Sequence, residues 1–206
     1  MPQYTKNPPL NIEDVAPDPL DQLLHWLADA RAIGMREPGA MALATASLAA
    51  LPSARIVLFK GLHDGQLTFY TDYRGRKAQD LADNPQAAAT FWWDQLERQV
   101  RIEGSVAKLP RDVSAAYFAT RPRASQLAAH TSRQSSVVDD RATLDTRLIA
   151  TEARFANADV PLPEHWGGYG LTPQRVEFWQ GRGARFHDRL LYTQAGNSWR
   201  IERLEP

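Results

Sequence analysis

The sequence predicts an α+β chain built on an antiparallel β-barrel with peripheral helices. Short strand-like runs are joined by tight turn signals, helices are inserted singly between them, and the regular strand–helix–strand beat of a doubly wound sheet is missing. A length of 206 residues with 43% hydrophobic content suits one domain with a sizeable core. Residues 1–17 are Pro-rich and aperiodic and read as an extended N-terminal arm, leaving 18–206 as the single folded domain.

The elements follow in order. Asp18-Pro19 opens a helix, an N-cap followed by proline at the first helical position. Leu20, Leu23, Leu24 and Leu27 continue it at helical spacing, and Gly34 stops it. Strands are expected over 41–46, 55–60, 67–71, 87–93 and 99–107, with turns at Leu51-Pro52-Ser53, His63-Asp64-Gly65 and Asn84-Pro85. A short helix falls at 76–82. Another at 111–120 puts Ala116, Tyr117 and Ala119 near one face and ends at Pro122. Residues 139–155 have amphipathic helical spacing through Leu144, Leu148, Thr151 and Phe155, and Pro161-Leu162-Pro163 closes that region. Strands return over 175–180, 189–193 and 199–204.

Composition excludes several classes of function. Twenty-four basic residues balance 24 acidic ones, which argues against a nucleic-acid binder and is compatible with a stable oligomer. Without cysteine there are no disulfides, thiolate metal sites or cysteine nucleophiles. No apolar leader or membrane-spanning run is present, so the reading is a cytoplasmic chain. His25 falls in a helix, His63 in a turn, and His130 and His165 in loops; none has a partner at metal-ligand spacing, so no metal is expected. Neither G-x-G-x-x-G nor G-x-x-x-x-G-K-[ST] occurs, so any bound phosphate must be held by side chains. Carboxylate pairs and a G-x-S-x-G elbow are also missing.

Three clusters carry possible chemistry. Arg55-Ile56-Val57-Leu58-Phe59-Lys60, followed by Tyr70-Thr71 and Arg76-Lys77, could gather four cations and a hydroxyl around a phosphate dianion. Taken alone, solvated strand ends explain it better. Tyr117, Arg121, Arg123 and Ser125 could form a second phosphate site, although an ordinary helix C-terminus accounts for the same residues. The third cluster runs from Val176 to Arg189. There an aromatic strand leads through Gly181 and Gly183 into Arg185-Phe186-His187-Asp188-Arg189, and strand alternation would put Arg185, His187 and Arg189 on one side. Adjacent cationic groups on one face call for an anion, which favours a functional reading over an exposed basic strand.

Val176–Arg189, with Glu-Phe-Trp-Gln and then Arg-x-His-Asp-Arg, resembles the signature of the pyridoxamine 5′-phosphate oxidase family. Arg55-Ile56-Val57-Leu58-x-Lys60, Tyr70-Thr71, Arg76-Lys77, Leu96-Glu97-Arg98-Gln99-Val100, Arg121-Pro122-Arg123-x-Ser125-Gln126, Gln134-Ser135-Ser136 and Pro161-Leu162-Pro163 with Trp166-Gly167-Gly168 extend the resemblance in order, from about Asp18 to the C-terminus. The resemblance implies a split β-barrel homodimer with flavin mononucleotide (FMN) at the subunit interface. It implies oxidation of pyridoxamine 5′-phosphate or pyridoxine 5′-phosphate to pyridoxal 5′-phosphate, with hydride transfer to FMN and reoxidation by O2 to hydrogen peroxide. Carried over by position, the implied FMN contacts are Arg55, Ile56, Val57, Leu58, Lys60, Tyr70, Thr71, Arg76, Lys77, Gln99, Gln134, Ser135, Trp179 and Arg189. The implied substrate contacts are Lys60, Tyr117, Arg121 and Ser125 at its phosphate, with Arg185 and His187 as catalytic groups over its ring. Two departures stand out: the N-terminal arm has Pro2-Gln3 before Tyr4, where the family often carries arginines, and Phe186 replaces an aliphatic residue. Alternative readings are a related split-barrel flavin oxidase acting on another ring, as in phenazine biosynthesis, or a non-catalytic flavin-binding protein.

Overall fold

A computed structural model describes residues 7–206, so Tyr4 and the first part of the N-terminal arm lie outside the described residues. The strands are β1 (Ala40–Ala46), β2 (Pro52–Leu58), β3 (Leu62–His63), β4 (Gln66–Asp72), β5 (Gln86–Trp93), β6 (Arg98–Lys108), β7 (Trp166–Gln180), β8 (Asp188–Ala195) and β9 (Ser198–Arg203). The helices are α1 (Pro19–Ala32), α2 (Arg76–Asp83), α3 (Arg111–Thr120), α4 (Arg123–Thr131) and α5 (Arg141–Arg154).

Hydrogen bonding joins the strands in the order β2-β1-β5-β6-β7-β4-β3, every pairing antiparallel. The two ends of this sheet meet. Lys60 N donates to Thr68 O and Thr68 N donates to Gly61 O, both at 2.9 Å, stitching the chain that leaves β2 onto β4. The sheet therefore curls into a barrel, and β8 and β9 extend from β7 beside it, giving the split-barrel α+β fold expected.

One strand serves both parts. The first portion of β7 pairs with β4, from Trp166 to Leu171, and its second with β8, from Arg175 to Gln180. Pro173 falls between them, where a residue without an N–H does least harm to a ladder. Opposite it the β6–β7 register shifts at Glu103/Gly104. A Cβ on Gly104 would lie 2.0 Å from Thr172 O, so only glycine lets the strands pass this closely.

The core lies between the barrel and α1. The Asp18 side chain accepts from Leu20 N at 2.7 Å, and Gly34 leaves the helix with φ +76°, so the expected cap and stop both hold. Leu23, Trp26, Leu27 and Ala30 pack on Met41, Phe91, Trp93, Ile102 and Phe178, with the Trp26 and Phe178 rings edge-on at 5.1 Å. A second cluster, built on Phe118, Leu127, Phe155 and Trp166, seats α3, α4 and α5 at one end.

Several local expectations need correction. Pro122 does not merely end a helix: its carbonyl accepts from Ser125 and Gln126 N and starts α4, which places His130 on a helix rather than a loop. His63 lies in β3. β7 begins at Trp166, well before 175, because Gly167 and Gly168 are strand residues. The buried residues of α3 are Ser114 and Phe118, with Ala116 and Ala119 exposed, because Ser114 Oγ accepts from Gly168 N at 3.0 Å and turns that face inward. Residues 7–17 are also less extended than expected, with a 3-10 turn at Ile12–Asp14 and Leu10 in the core.

Replacing Gly104 by Ala should lower stability by about 1–3 kcal/mol, because the clash is with backbone that has no room to move. Urea unfolding monitored by tryptophan fluorescence measures this, and an unchanged midpoint would contradict it.

Candidate functional site

The closure of the barrel creates the site. A pocket of about 470 Å³ opens between β2, β4, α2, α3 and the start of β7. It is lined by Arg55, Ile56, Val57, Leu58 and Lys60 from β2 and the residues after it, by Tyr70, Thr71, Lys77 and Gln134, and by Tyr117, Arg121 and Ser125. The first two clusters, far apart in the chain, thus face one cavity.

One end of the pocket is a hydroxyl–amine–amide triangle. Lys77 is buried on α2, and its Nζ donates to Thr71 Oγ1 at 3.0 Å and to Gln134 Oε1 at 2.5 Å. Thr71 Oγ1 donates to the same Gln134 oxygen at 2.9 Å. Gln134 reaches this position over Gly75, where a Cβ would come within 2.6 Å of its Oε1. Burial, and the nearby Arg55 guanidinium, hold the Lys77 ammonium below the usual lysine range. The Arg55 guanidinium donates through NH1 to Leu43 O, Thr45 Oγ1 and Ser53 O at 3.1, 2.8 and 2.9 Å, and lies 3.9 Å from Asp80. Burial lowers its pKa despite the opposing pull of Asp80. Arg76 and Ser135 stand just outside the pocket lining, joined by Arg76 N donating to Ser135 Oγ at 3.2 Å.

The other end is an aromatic wall with a guanidinium against it. The Tyr70 and Tyr117 rings stack at 3.8 Å, and Trp166 lies nearly parallel to both. Arg121 sits 4.4 Å from the centroid of the Trp166 ring. Among the described residues, Arg121 NH1 is the one buried side-chain nitrogen or oxygen without a hydrogen-bond partner. Burial pushes the pKa of Arg121 down and those of Tyr70 and Tyr117 up. A buried donor left unmatched is rare in folded chains and marks a place where an acceptor belongs. Trp166, Thr120 and Pro122 also line the pocket, though the sequence reading assigned them no role there. The signal for Trp166 was the glycine pair that follows it: a Cβ on Gly168 would lie 2.8 Å from the Tyr70 ring, and one on Gly167 2.2 Å from Tyr73 Oη.

The third cluster is elsewhere. Trp179 pairs across the sheet with Gln99 on one side and Arg189 on the other. Trp166 and Trp179 stand near opposite ends of the 15-residue β7, separated along the strand by roughly 40 Å of extended chain. Alternation does not order Arg185, His187 and Arg189, because Arg185 ends a 3-10 turn in which Ala184 and Arg185 have φ of +55° and +63° and β8 starts only at Asp188. The His187 ring lies 4.6 Å from that of Trp179 and its Nδ1 accepts from Arg182 N at 3.2 Å. Burial, then the Arg185 charge, depress its pKa. Arg189 is paired with Glu177 through contacts of 2.9 and 3.2 Å, which raises its pKa. Within one copy of the chain Gln99, Trp179, Arg185, His187 and Arg189 therefore stay outside the pocket lining.

Comparisons with known proteins identify the family. Residues 28–154 match a family model described as pyridoxamine 5′-phosphate oxidase, and residues 166–206 match one described as a pyridoxine 5′-phosphate oxidase C-terminal dimerisation region. A pyridoxine/pyridoxamine 5′-phosphate oxidase of Rubrobacter xylanophilus is 50% identical over 190 residues, covering 92% of this chain and 88% of the relative. That of Deinococcus deserti is 52% identical over 195 residues, covering 94% and 91%. Among solved structures, PhzG from Burkholderia lata 383 in complex with tetrahydrophenazine-1-carboxylic acid superposes with a TM-score of 0.89 at 30% identity, covering 94% of this chain and 95% of that one. A pyridoxamine 5′-phosphate oxidase-related, FMN binding protein from Nostoc punctiforme shares the fold, with a TM-score of 0.74 at 19% identity over 94% of this chain and 99% of that one. With its larger part matched by the family model and about half of the aligned residues identical in these relatives, the chain belongs to the pyridoxamine 5′-phosphate oxidase family.

Proposed function

We propose that the protein is an FMN-dependent oxidase that converts pyridoxamine 5′-phosphate or pyridoxine 5′-phosphate to pyridoxal 5′-phosphate and works as a homodimer. The observation that carries this reading is the desolvated, unmatched Arg121 NH1 in a pocket whose other end is lined by Lys77 and Arg55. Two cationic ends in one cavity suit two phosphates, one on the cofactor and one on the substrate.

FMN, when bound, would supply the acceptor for the hydride from C4′ of the substrate, with O2 as the final oxidant giving hydrogen peroxide; the alcohol yields the aldehyde directly, whereas the amine yields an imine that takes up water and releases ammonia. Lys77, Thr71 and Gln134, with Arg55, Arg76 and Ser135, hold its phosphate beside the N-terminal amides of α2. Ile56, Val57, Leu58 and Tyr70 close around the remainder. Arg121, Tyr117, Ser125 and Lys60 grip the substrate phosphate and set specificity, since an unphosphorylated analogue leaves their donors unmatched.

Gln99, Trp179 and Arg189 complete the cofactor site from the second copy of the chain, which also brings Arg185 and His187 over the substrate ring. The placement of these five at the far end of β7 supports this division, as does the family description of residues 166–206 as a dimerisation region. Burial, then the Arg185 charge, favour the neutral ring of His187, and its Nδ1 accepts the Arg182 N–H, which fixes the face it turns to the substrate. Arg185 adds a positive charge that favours loss of the proton from the substrate amine or alcohol. A second reading, oxidation of another ring system, is favoured by the likeness to PhzG. The relatives at 50% identity and the Lys60, Tyr117, Arg121 and Ser125 set weigh against it.

Anaerobic addition of pyridoxamine 5′-phosphate to the purified protein should bleach its flavin absorbance, and air should restore it with release of peroxide. A flavin band that persists would reject this substrate and send the search to other rings. Arg121→Met should lower kcat/KM for the phosphorylated substrate by about 100-fold, equivalent to roughly 3 kcal/mol for a lost charged hydrogen-bond set, while the flavin stays bound. Lys77→Met should instead yield protein depleted of flavin. Equal effects of the two variants on flavin content would contradict the assignment of separate phosphate ends.

A further inference from the structure

The loop that carries Arg185 and His187 is held from outside the sheet. Arg182 N donates to His187 Nδ1 at 3.2 Å, and the Arg182 side chain is tied in turn: NH1 donates to Asn7 O at 2.6 Å and Nε lies 3.6 Å from Asp188 Oδ2. The same Asp188 carboxylate accepts from Leu10 N at 3.0 Å and from Arg203 NH1 at 2.8 Å. Arg203 closes the circuit by donating through NH2 to Leu10 O at 2.7 Å. Gln180 Nε2 adds a bond to Pro8 O at 2.8 Å. Residues 7–10 thus lie across the ends of β7 and β8 as a strap bound by side chains rather than by a ladder, with Leu10 anchored in the core.

Asp188 is the common point of this circuit. Its side chain, 14% exposed, joins the strap, the 182–187 loop and β9. The loop needs such ties, because Ala184 and Arg185 are both left-handed, a conformation that side-chain-bearing residues adopt only at a cost in free energy.

We propose that Asp188 is a positioning residue for the oxidase reaction: through Arg182, Leu10 and Arg203 it fixes the loop that presents Arg185 and His187 to the substrate. The proposal rests on reading those two residues as substrate-facing. It also assigns the strap a part in catalysis without any contact of its own with the reacting atoms.

The test uses the flavin-loaded protein and the variants Asp188→Asn and Arg182→Ala. The second cuts only the Arg182 tie and leaves the Asp188–Leu10–Arg203 clamp, so it decides the matter if the first fails to fold. Both should retain flavin while kcat/KM falls about ten- to a hundred-fold, as expected for a mispositioned reacting group. Asp188→Glu should recover part of the loss. Independently of turnover, ¹⁵N NMR of the histidine rings should show an unprotonated Nδ1 for His187 in the unmodified protein and a mixture of tautomers in both variants. Folded, flavin-loaded variants with unchanged kcat, KM and His187 signature would overturn the proposal. Unmodified protein inert toward both substrates would overturn the oxidase reading instead, and the His187 signature would then decide the positioning claim by itself.

Discussion

The site is organised by positive charge taken out of water without enough negative charge to match it. Arg55, Lys60, Lys77 and Arg121 face one pocket. Lys77 is buried, Arg55 and Arg121 are half-buried and Lys60 is exposed, and the fold answers the first three only in part. Arg55 has three neutral acceptors on NH1 and a carboxylate at 3.9 Å; Lys77 has a hydroxyl and an amide oxygen; Arg121 has the face of Trp166. A cation over a desolvated aromatic ring gains about 1–2 kcal/mol, whereas an unmade hydrogen bond on a buried charged donor costs about 1–3 kcal/mol or more. The two are comparable in size, but the aromatic face supplies no acceptor for the NH1 protons. An oxyanion would resolve the imbalance, and burial lowers the pKa of each of these three groups in the same direction.

The barrel makes this charge cluster possible at fixed geometry. The backbone bonds between Lys60, Gly61 and Thr68 close the sheet and hold the end of β2 beside β4, and with it Arg55 and Lys60 beside Tyr70 and Thr71. β7 carries the same strand pairing on to Trp179 and β8. Trp166 of the pocket wall and Trp179, against which His187 packs, belong to one strand, so two copies meeting through this region would set both halves of two sites together. Close passage at Gly104 and the change of partners near Pro173 let that strand serve the barrel and its extension at once.

Much of this was legible in the sequence. The Asp18-Pro19 cap, the Gly34 stop and the turn-punctuated strands are local signals, and local chemistry decided them. What escaped depends on distant partners. Pro122 looks like a terminator until its carbonyl is seen to start α4, and Gly167-Gly168 look like a loop until Tyr70 and Tyr73 are packed on them. The expected alternation of Arg185, His187 and Arg189 fails on two left-handed residues, Ala184 and Arg185, neither of them glycine. Periodicity and spacing left the first two clusters ambiguous, because solvated cations and a phosphate clamp look alike along the chain. The family resemblance supplied the site residues there, and barrel closure shows why Arg55 and Arg121, so distant in sequence, face the same cavity.

The most direct test of the charge argument is the affinity of the flavin-free protein for FMN against riboflavin, which shares the ring system but lacks the phosphate. If Lys77, Thr71, Gln134 and Arg55 are a phosphate site, FMN should bind at least about 100-fold more tightly, since one charged hydrogen-bond set contributes roughly 3 kcal/mol, and the difference should shrink with added salt. Equal affinity for the two flavins would show that the ring alone drives binding and would contradict the account.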